Sequence, residues 1–152
     1  MGEGGHFIDT VSALVGLDPV EVHACGGSGG VNVTLRYDDG STGLISYLTE
    51  GSSRFPKESL DVTGDGRTGR LDDFTRTTLW TARGRTVKRS LTGRDKGQRE
   101  QLRRFVAAVR DGGPMPVPLD SLVATTRATL AVQAALTTRR PVALPVTAPE
   151  GR

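Results

Sequence analysis

Apolar residues recur at helical spacing near the start of the chain. Phe7, Ile8, Val11, Leu14 and Val15 fall on one face, and Gly16 followed by Asp18-Pro19 supplies a stop. The pattern then changes period. Val20 and Val22 alternate with Glu21 and His23, and beyond the glycine-rich link Gly26 to Gly30 the residues Val31, Val33, Leu35 and Tyr37 alternate strictly with Asn32, Thr34 and Arg36. Both stretches predict strands with one buried face. Asp38-Asp39-Gly40-Ser41 has hairpin-turn chemistry, because aspartate and glycine tolerate positive φ, and it leads into a strand over Leu44 to Leu48. Further strands are predicted at Ser59 to Thr63, Gly69 to Phe74, Thr75 to Thr81 and Thr86 to Leu91, the last two joined by Arg83-Gly84-Arg85. Asp95 is placed to cap a helix in which Leu102, Phe105, Val106 and Val109 share a face, ended by Gly112-Gly113-Pro114. A last helix is predicted from Asp120 to Thr138, with alanines on much of its surface that imply close packing. Strands in a block between helices predict an α+β domain: a mostly antiparallel, open-faced β-sheet with helices packed on one face. The other face needs water or a partner.

Composition narrows the class. A chain of 152 residues fits one domain and buries an ordinary core without metals or disulfides. With 36% hydrophobic and 24% charged residues it is expected to fold rather than stay disordered. The lone Cys25 builds no disulfide framework, and Met1 to Gly5 lacks the basic opening of a secretory signal, so the cytoplasm is the expected compartment. Phe7 to Leu17, interrupted by Asp9, is far shorter than the roughly twenty residues that span a bilayer, and no membrane role is expected.

The net charge of +3 is uneven. Lysines and arginines crowd the stretch from Arg67 to Arg104, with only Asp72, Asp73, Asp95 and Glu100 against them. A solvated surface is the plain reading and a phosphorylated ligand the second. Nucleic acid is not expected as a partner, since no recognition motif is present and aromatic residues are too few to act as stacking platforms.

Three constellations invite chemistry. Gly64-Asp65-Gly66-Arg67-Thr68-Gly69 has the spacing of a dinucleotide fingerprint, but the residues after it favour strand where the fingerprint needs a helix N-terminus, so a glycine-rich β-turn is expected. Asp61, Thr63, Asp65, Gly66 and Asp72 approximate a twelve-residue calcium loop, yet Arg67 brings positive charge and no entering helix precedes it. A single calcium-loop protein is therefore a minor alternative, and no metal ligand is assigned. The third is Gly2-Glu3-Gly4-Gly5-His6-Phe7-Ile8-Asp9, where a histidine in a helix's first turn has a carboxylate three residues on, able to share its face. Taken alone, a capping or surface role is the plainer reading.

The sequence resembles the Gfo/Idh/MocA oxidoreductases from Gly2 to about Leu144. "GEGGHFIDTVSALVG" resembles the glycine-rich entry into that family's C-terminal domain, with its histidine and an aspartate three later. "VNVTLRYDDGSTGLISY" resembles its hairpin, and "FPKESLDVTGDGRTGRLDDF" its strand, turn and strand. "DKGQREQLRRFVAAVRDGGPMPVP" and "DSLVATTRATLAVQAAL" resemble its last two helices. Residues 1–144 are thus expected to form a substrate-binding and oligomerisation domain, with 145–152 a flexible tail. The resemblance implies that His6 moves a proton in a nicotinamide-dependent oxidation, with a lysine supplied by an N-terminal Rossmann half. Family members commonly carry an aspartate four residues before the histidine. Here that place is Gly2 with Glu3 beside it, similar to a subgroup found in polysaccharide and nucleotide-sugar contexts. Glu3, Asp9 and Lys96 are the implied substrate contacts, the plainer reading of Lys96 being a solvated residue at a helix start.

No strand-glycine-helix unit precedes Gly2, so this chain alone is expected to bind no cofactor, while NAD(P) is implied for a complete enzyme. The implied partners are a sugar-type small molecule, a second copy docked through the sheet and a separate Rossmann domain. A non-catalytic dimerisation or interaction module is the alternative from a different class.

Overall fold

The computed structural model describes residues 4–91 and 93–145. Its strands divide between two compact units, one formed by the chain up to Glu50 together with the chain from Val117 on, the other by Gly51–Pro116.

The first unit opens with α1 (Gly4–Val15), which buries Gly4, Ile8 and Ser12, one residue per turn of the helix. Three strands follow: β1 (Glu21–Gly27), β2 (Gly30–Arg36) and β3 (Thr42–Leu48). They pair antiparallel in sequence, Val22 opposite Leu35 and Val33 opposite Ile45. Burial alternates along them as the sequence pattern predicts: Val22, Ala24, Val33, Leu35 and Ile45 face inward while His23, Thr34 and Leu44 face out. The predicted turn at Asp38–Ser41 forms, with Gly40 at φ 84° and the Ser41 amide donating to Asp39 Oδ1 at 2.9 Å. The glycine link between β1 and β2 tightens into a hairpin, because β1 extends to Gly27 and pairs it with Gly30.

On the inner face lies the helix from Leu119 to Thr138. Its buried positions are Ala124, Ala128, Ala131, Val132 and Ala135, so the predicted alanine surface is the packed one. Small side chains let it approach α1, where a Cβ added at Gly5 would sit 3.5 Å from Thr129 Oγ1. The helix ends on Arg139 at φ 56°, and the chain turns back to lay Val142–Ala143 beside β1. That two-residue strand, too short to leave a periodic signal, completes the order β3-β2-β1 and then Val142–Ala143 at the edge. A continuous buried cluster of Ile8, the inward strand residues, Tyr37 and the helix alanines holds the unit together. The unit is antiparallel with helices on one face, as the sequence predicts.

The second unit is a meander of β4 (Ser59–Gly64), β5 (Arg67–Asp72), β6 (Arg76–Thr81) and β7 (Gly84–Arg89), followed by α2 (Gln98–Asp111); the Leu119–Thr138 helix is α3 in chain order. Among the described residues of this unit only Thr78 is buried. The turn joining β5 to β6 falls on Asp73 and Phe74, at φ 48° and 55°, whereas the sequence pattern carried the strand through Phe74. A bulky residue with positive φ is uncommon, and its neighbours gave no glycine signal. Asp95 does not cap α2. Its Oδ1 accepts from the Gly97 amide at 2.8 Å, closing a turn, and Gly97 itself occupies the cap at φ 75°. The predicted stop holds: the Gly112 and Gly113 amides both donate to Ala108 O. The expected tail lies, from Val146 on, outside the described residues.

Candidate functional site

His6 stands in the first turn of α1 with its side chain exposed. Its ring rests against Phe7, centroids 3.9 Å apart, and Phe7 in turn meets Tyr47 of β3 at 6.2 Å. An aromatic wall therefore borders the imidazole on one side. The helix repeats every 3.6 residues, which brings Asp9 to a neighbouring position, half-buried. Asp9 does not pair with His6, however. Its Oδ1 accepts from Thr125 Oγ1 of α3 at 3.4 Å, so the carboxylate is tied across the two helices. Sequence spacing suggested a histidine-carboxylate pair, and α3, more than a hundred positions later, supplied the competing donor. Glu3 lies outside the described residues.

Lys96 belongs to the second unit. Its ammonium pairs with the Glu58 carboxylate and lies 5.3 Å from the centre of the Phe74 ring, a cation over an aromatic face. The residue stays exposed, and these partners come from its own unit.

The fingerprint-like and calcium-like spacings fall on one hairpin. Asp65 and Gly66, at φ 47° and 68°, form the left-handed pair that joins β4 to β5, and a strand follows where a dinucleotide fingerprint requires a helix. The glycine loop therefore does not fit a nicotinamide cofactor. Two of the three carboxylates of the calcium-like spacing are engaged by arginine: Asp72 accepts from Arg70 at 3.0 Å and from Arg76 at 2.7 Å, while Asp61 lies 3.7 Å from Arg70. The hydrogen bonds from Arg76 and then Arg70 hold the Asp72 carboxyl below its ordinary pKa. Among the described residues no group of three or more potential metal ligands converges.

The basic stretch proves more organised than its composition suggested. One face of β5, β6 and β7 carries Arg70, Arg76, Arg85 and Arg89 around an open groove of about 320 Å³. Thr78 and Trp80 of β6 also line it. Alternation in "RTTLWT" and "GRTVKR" held this signal, since residues two apart in a strand share a face.

The fold places the chain among known proteins. An oxidoreductase from Agrobacterium radiobacter, solved with NAD+, L-tartaric acid and magnesium, superposes with a TM-score of 0.76 at 16% identity over 93% of this chain and 47% of its own. The fold is that of Gfo/Idh/MocA-type oxidoreductases. An aldose-aldose oxidoreductase from Caulobacter crescentus, complexed with glycerol, gives 0.77 at 16% identity over 93% of this chain and 46% of its own. A UDP-N-acetylglucosamine 3-dehydrogenase from Acidithiobacillus ferrooxidans gives 0.73 at 15% over 88% and 46%. The chain spans about half the length of these Gfo/Idh/MocA-type structures. No protein-family model matches the sequence, and comparison with curated proteins gives no match. Among the described residues no helix is long and apolar enough to cross a membrane.

Proposed function

We propose that the chain is the C-terminal substrate-binding and dimerisation domain of an NAD(P)-dependent sugar or nucleotide-sugar oxidoreductase, inactive without a Rossmann domain. One observation carries the reading: nearly the whole chain superposes on about half of oxidoreductases such as the aldose-aldose enzyme and the nucleotide-sugar dehydrogenase. The Gly64–Gly69 loop turns into a strand and not a helix, and cofactor binding is assigned to the Rossmann domain. What this half contributes is chemistry at the substrate alcohol. Oxidising that carbon requires its hydroxyl proton to be taken up, and the exposed imidazole of His6 is a suitable acceptor near neutral pH. Glu3 and Asp9 contact sugar hydroxyls, Asp9 from an orientation fixed by Thr125. Lys96 is a candidate contact carried by the second unit, where it would have to leave Glu58. The lone cysteine agrees with a cytoplasmic location.

The test is ligand titration of the full chain, followed by backbone and imidazole resonances. Aldoses, inositol or a nucleotide sugar should shift the signals of His6 and Asp9. Shifts confined to other parts of the chain, or none at millimolar ligand, would count against the assignment.

The second reading, a non-catalytic dimerisation module, draws on the outward face of the first sheet, where Leu44 and Leu48 are exposed. Sedimentation should then show a dimer at micromolar concentration. A clean monomer would remove dimerisation from both readings.

A further inference from the structure

The groove on the second sheet is built in a way that surface solubility does not explain. Arg76 of β6 stands directly opposite Arg89 of β7, and Trp80 stands opposite Arg85. Neighbouring strands lie about 4.8 Å apart, so two guanidinium side chains rise from adjacent points of one face, an arrangement that destabilises a sheet when nothing compensates it. Asp72 compensates Arg76 and Arg70. Arg85 and Arg89 form no ion pair among the described residues, so positive charge is left over. Between the two ends lies Thr78, 6% exposed, as a floor, and Trp80 stays 38% exposed at the rim. A face kept only for solubility would interleave opposite charges and hide its indole.

Two ends with different chemistry face each other along the groove. At one end are Arg76, Arg89 and the Asp72 carboxylate that Arg76 holds, and at the other are Trp80 and Arg85. Four residues of strand separate them, about 13 Å at the usual rise. That distance suits an extended nucleotide. We propose that this groove binds a nucleoside diphosphate, free or as the head of a nucleotide sugar. Arg89 holds the diphosphate through charge-assisted, fork-like hydrogen bonds, and Arg76, whose Nε and Nη2 stay with Asp72, adds its remaining guanidinium nitrogen. The Trp80 indole stacks on the base, with Arg85 beside it, and the ribose crosses Thr78 and Val87. Stacking on an indole accepts any base, so purine and pyrimidine nucleotides both bind. The proposal rests on the second unit alone, and its failure leaves the reading of His6 untouched.

Trp80 is the only tryptophan in the chain, so its emission reports on this groove directly. The full chain is titrated at low ionic strength with UDP, ADP, inorganic pyrophosphate and uridine, and calorimetry gives the affinities. UDP and ADP should change the emission saturably, pyrophosphate should bind more weakly and displace them, and uridine at equal concentration should do nothing. Arg89→Ala should weaken UDP by about tenfold or more while the melting temperature holds or rises, because the facing like charge is removed. Trp80→Phe should keep pyrophosphate binding and narrow the preference for UDP. Three results overturn the idea: no saturable UDP response up to millimolar, equal UDP affinity in Arg89→Ala, or a single-stranded oligonucleotide bound far more tightly than UDP. The last would make the groove a nucleic-acid surface.

Discussion

Two side chains show how individual positions hold the first unit. Tyr37 is fully buried, and its hydroxyl meets Ser12 Oγ at 3.1 Å, joining β2's end to α1. Burial pushes the phenol's pKa above its ordinary 10.0, with the Ser12 hydrogen bond opposing part of that rise. The folded state thus holds this proton more tightly than the unfolded chain does. Its contribution is complete below pH 10.0 and is lost as pH climbs through the raised value. Tyr37→Phe should cost about 1 kcal/mol at neutral pH, from the orphaned Ser12 hydroxyl. It should also flatten the alkaline fall of the wild-type denaturation midpoint. Gly43 sits where β3 passes under α1, and a Cβ there would come within 2.5 Å of Val11 Cγ1. Gly43→Ala should therefore lose about 1–3 kcal/mol in urea unfolding. Val11→Ala placed alongside it should recover part of that loss. Alternation alone made Val33 and Leu35 legible as core. The need for glycine at 43 was not, because the clash comes from a helix some thirty positions earlier.

At the level of elements, local pattern predicted most of what forms. Each of the seven longer strands and three helices lies where periodicity placed it, within a few residues. The exceptions are instructive. The Asp73-Phe74 turn has no glycine, and the edge strand Val142–Ala143 is too short to show a period; both depend on what the chain meets in three dimensions. The N-terminal turn of α2 adds an electrostatic device. Glu100 accepts from Arg103 at 2.7 Å and from Arg104 at 2.8 Å, and these hydrogen bonds pull its pKa from 4.5 to about 2. A depressed carboxylate supports the helix above pH 4.5 and loses that support as pH falls toward about 2. The pair is fully exposed, so salt screens it. Helical ellipticity should fall on acidification through this window, less so in 1 M salt, and Glu100→Gln should show a lower but flatter profile. An unchanged profile in Glu100→Gln would assign the acid transition elsewhere.

The whole molecule was legible as a class before it was legible as an arrangement. Helix, strands and helices in order led to an α+β fold, and the fold shared with the solved oxidoreductases agrees. The sequence did not reveal that the strands separate into two four-stranded sheets, because hydrophobic period says which face is buried and not which strand is its neighbour. Nor did it reveal the partners of two candidate residues in separate units: Thr125 comes to Asp9 from α3, and Glu58 and Phe74 gather at Lys96. Such contacts between distant positions are fixed by topology. His6 is proposed to act at a substrate alcohol. The most direct measurement joins the chain to the Rossmann domain of an oxidoreductase of the same fold and follows NAD(P)+ reduction with sugar substrates, wild type beside His6→Ala. The exposed position of His6 lets the variant fold. Turnover is expected in the wild type, with a fall in kcat of about 100-fold or more in His6→Ala and KM little changed. Equal rates in the two proteins, or no turnover with any sugar in a folded fusion, would contradict that role.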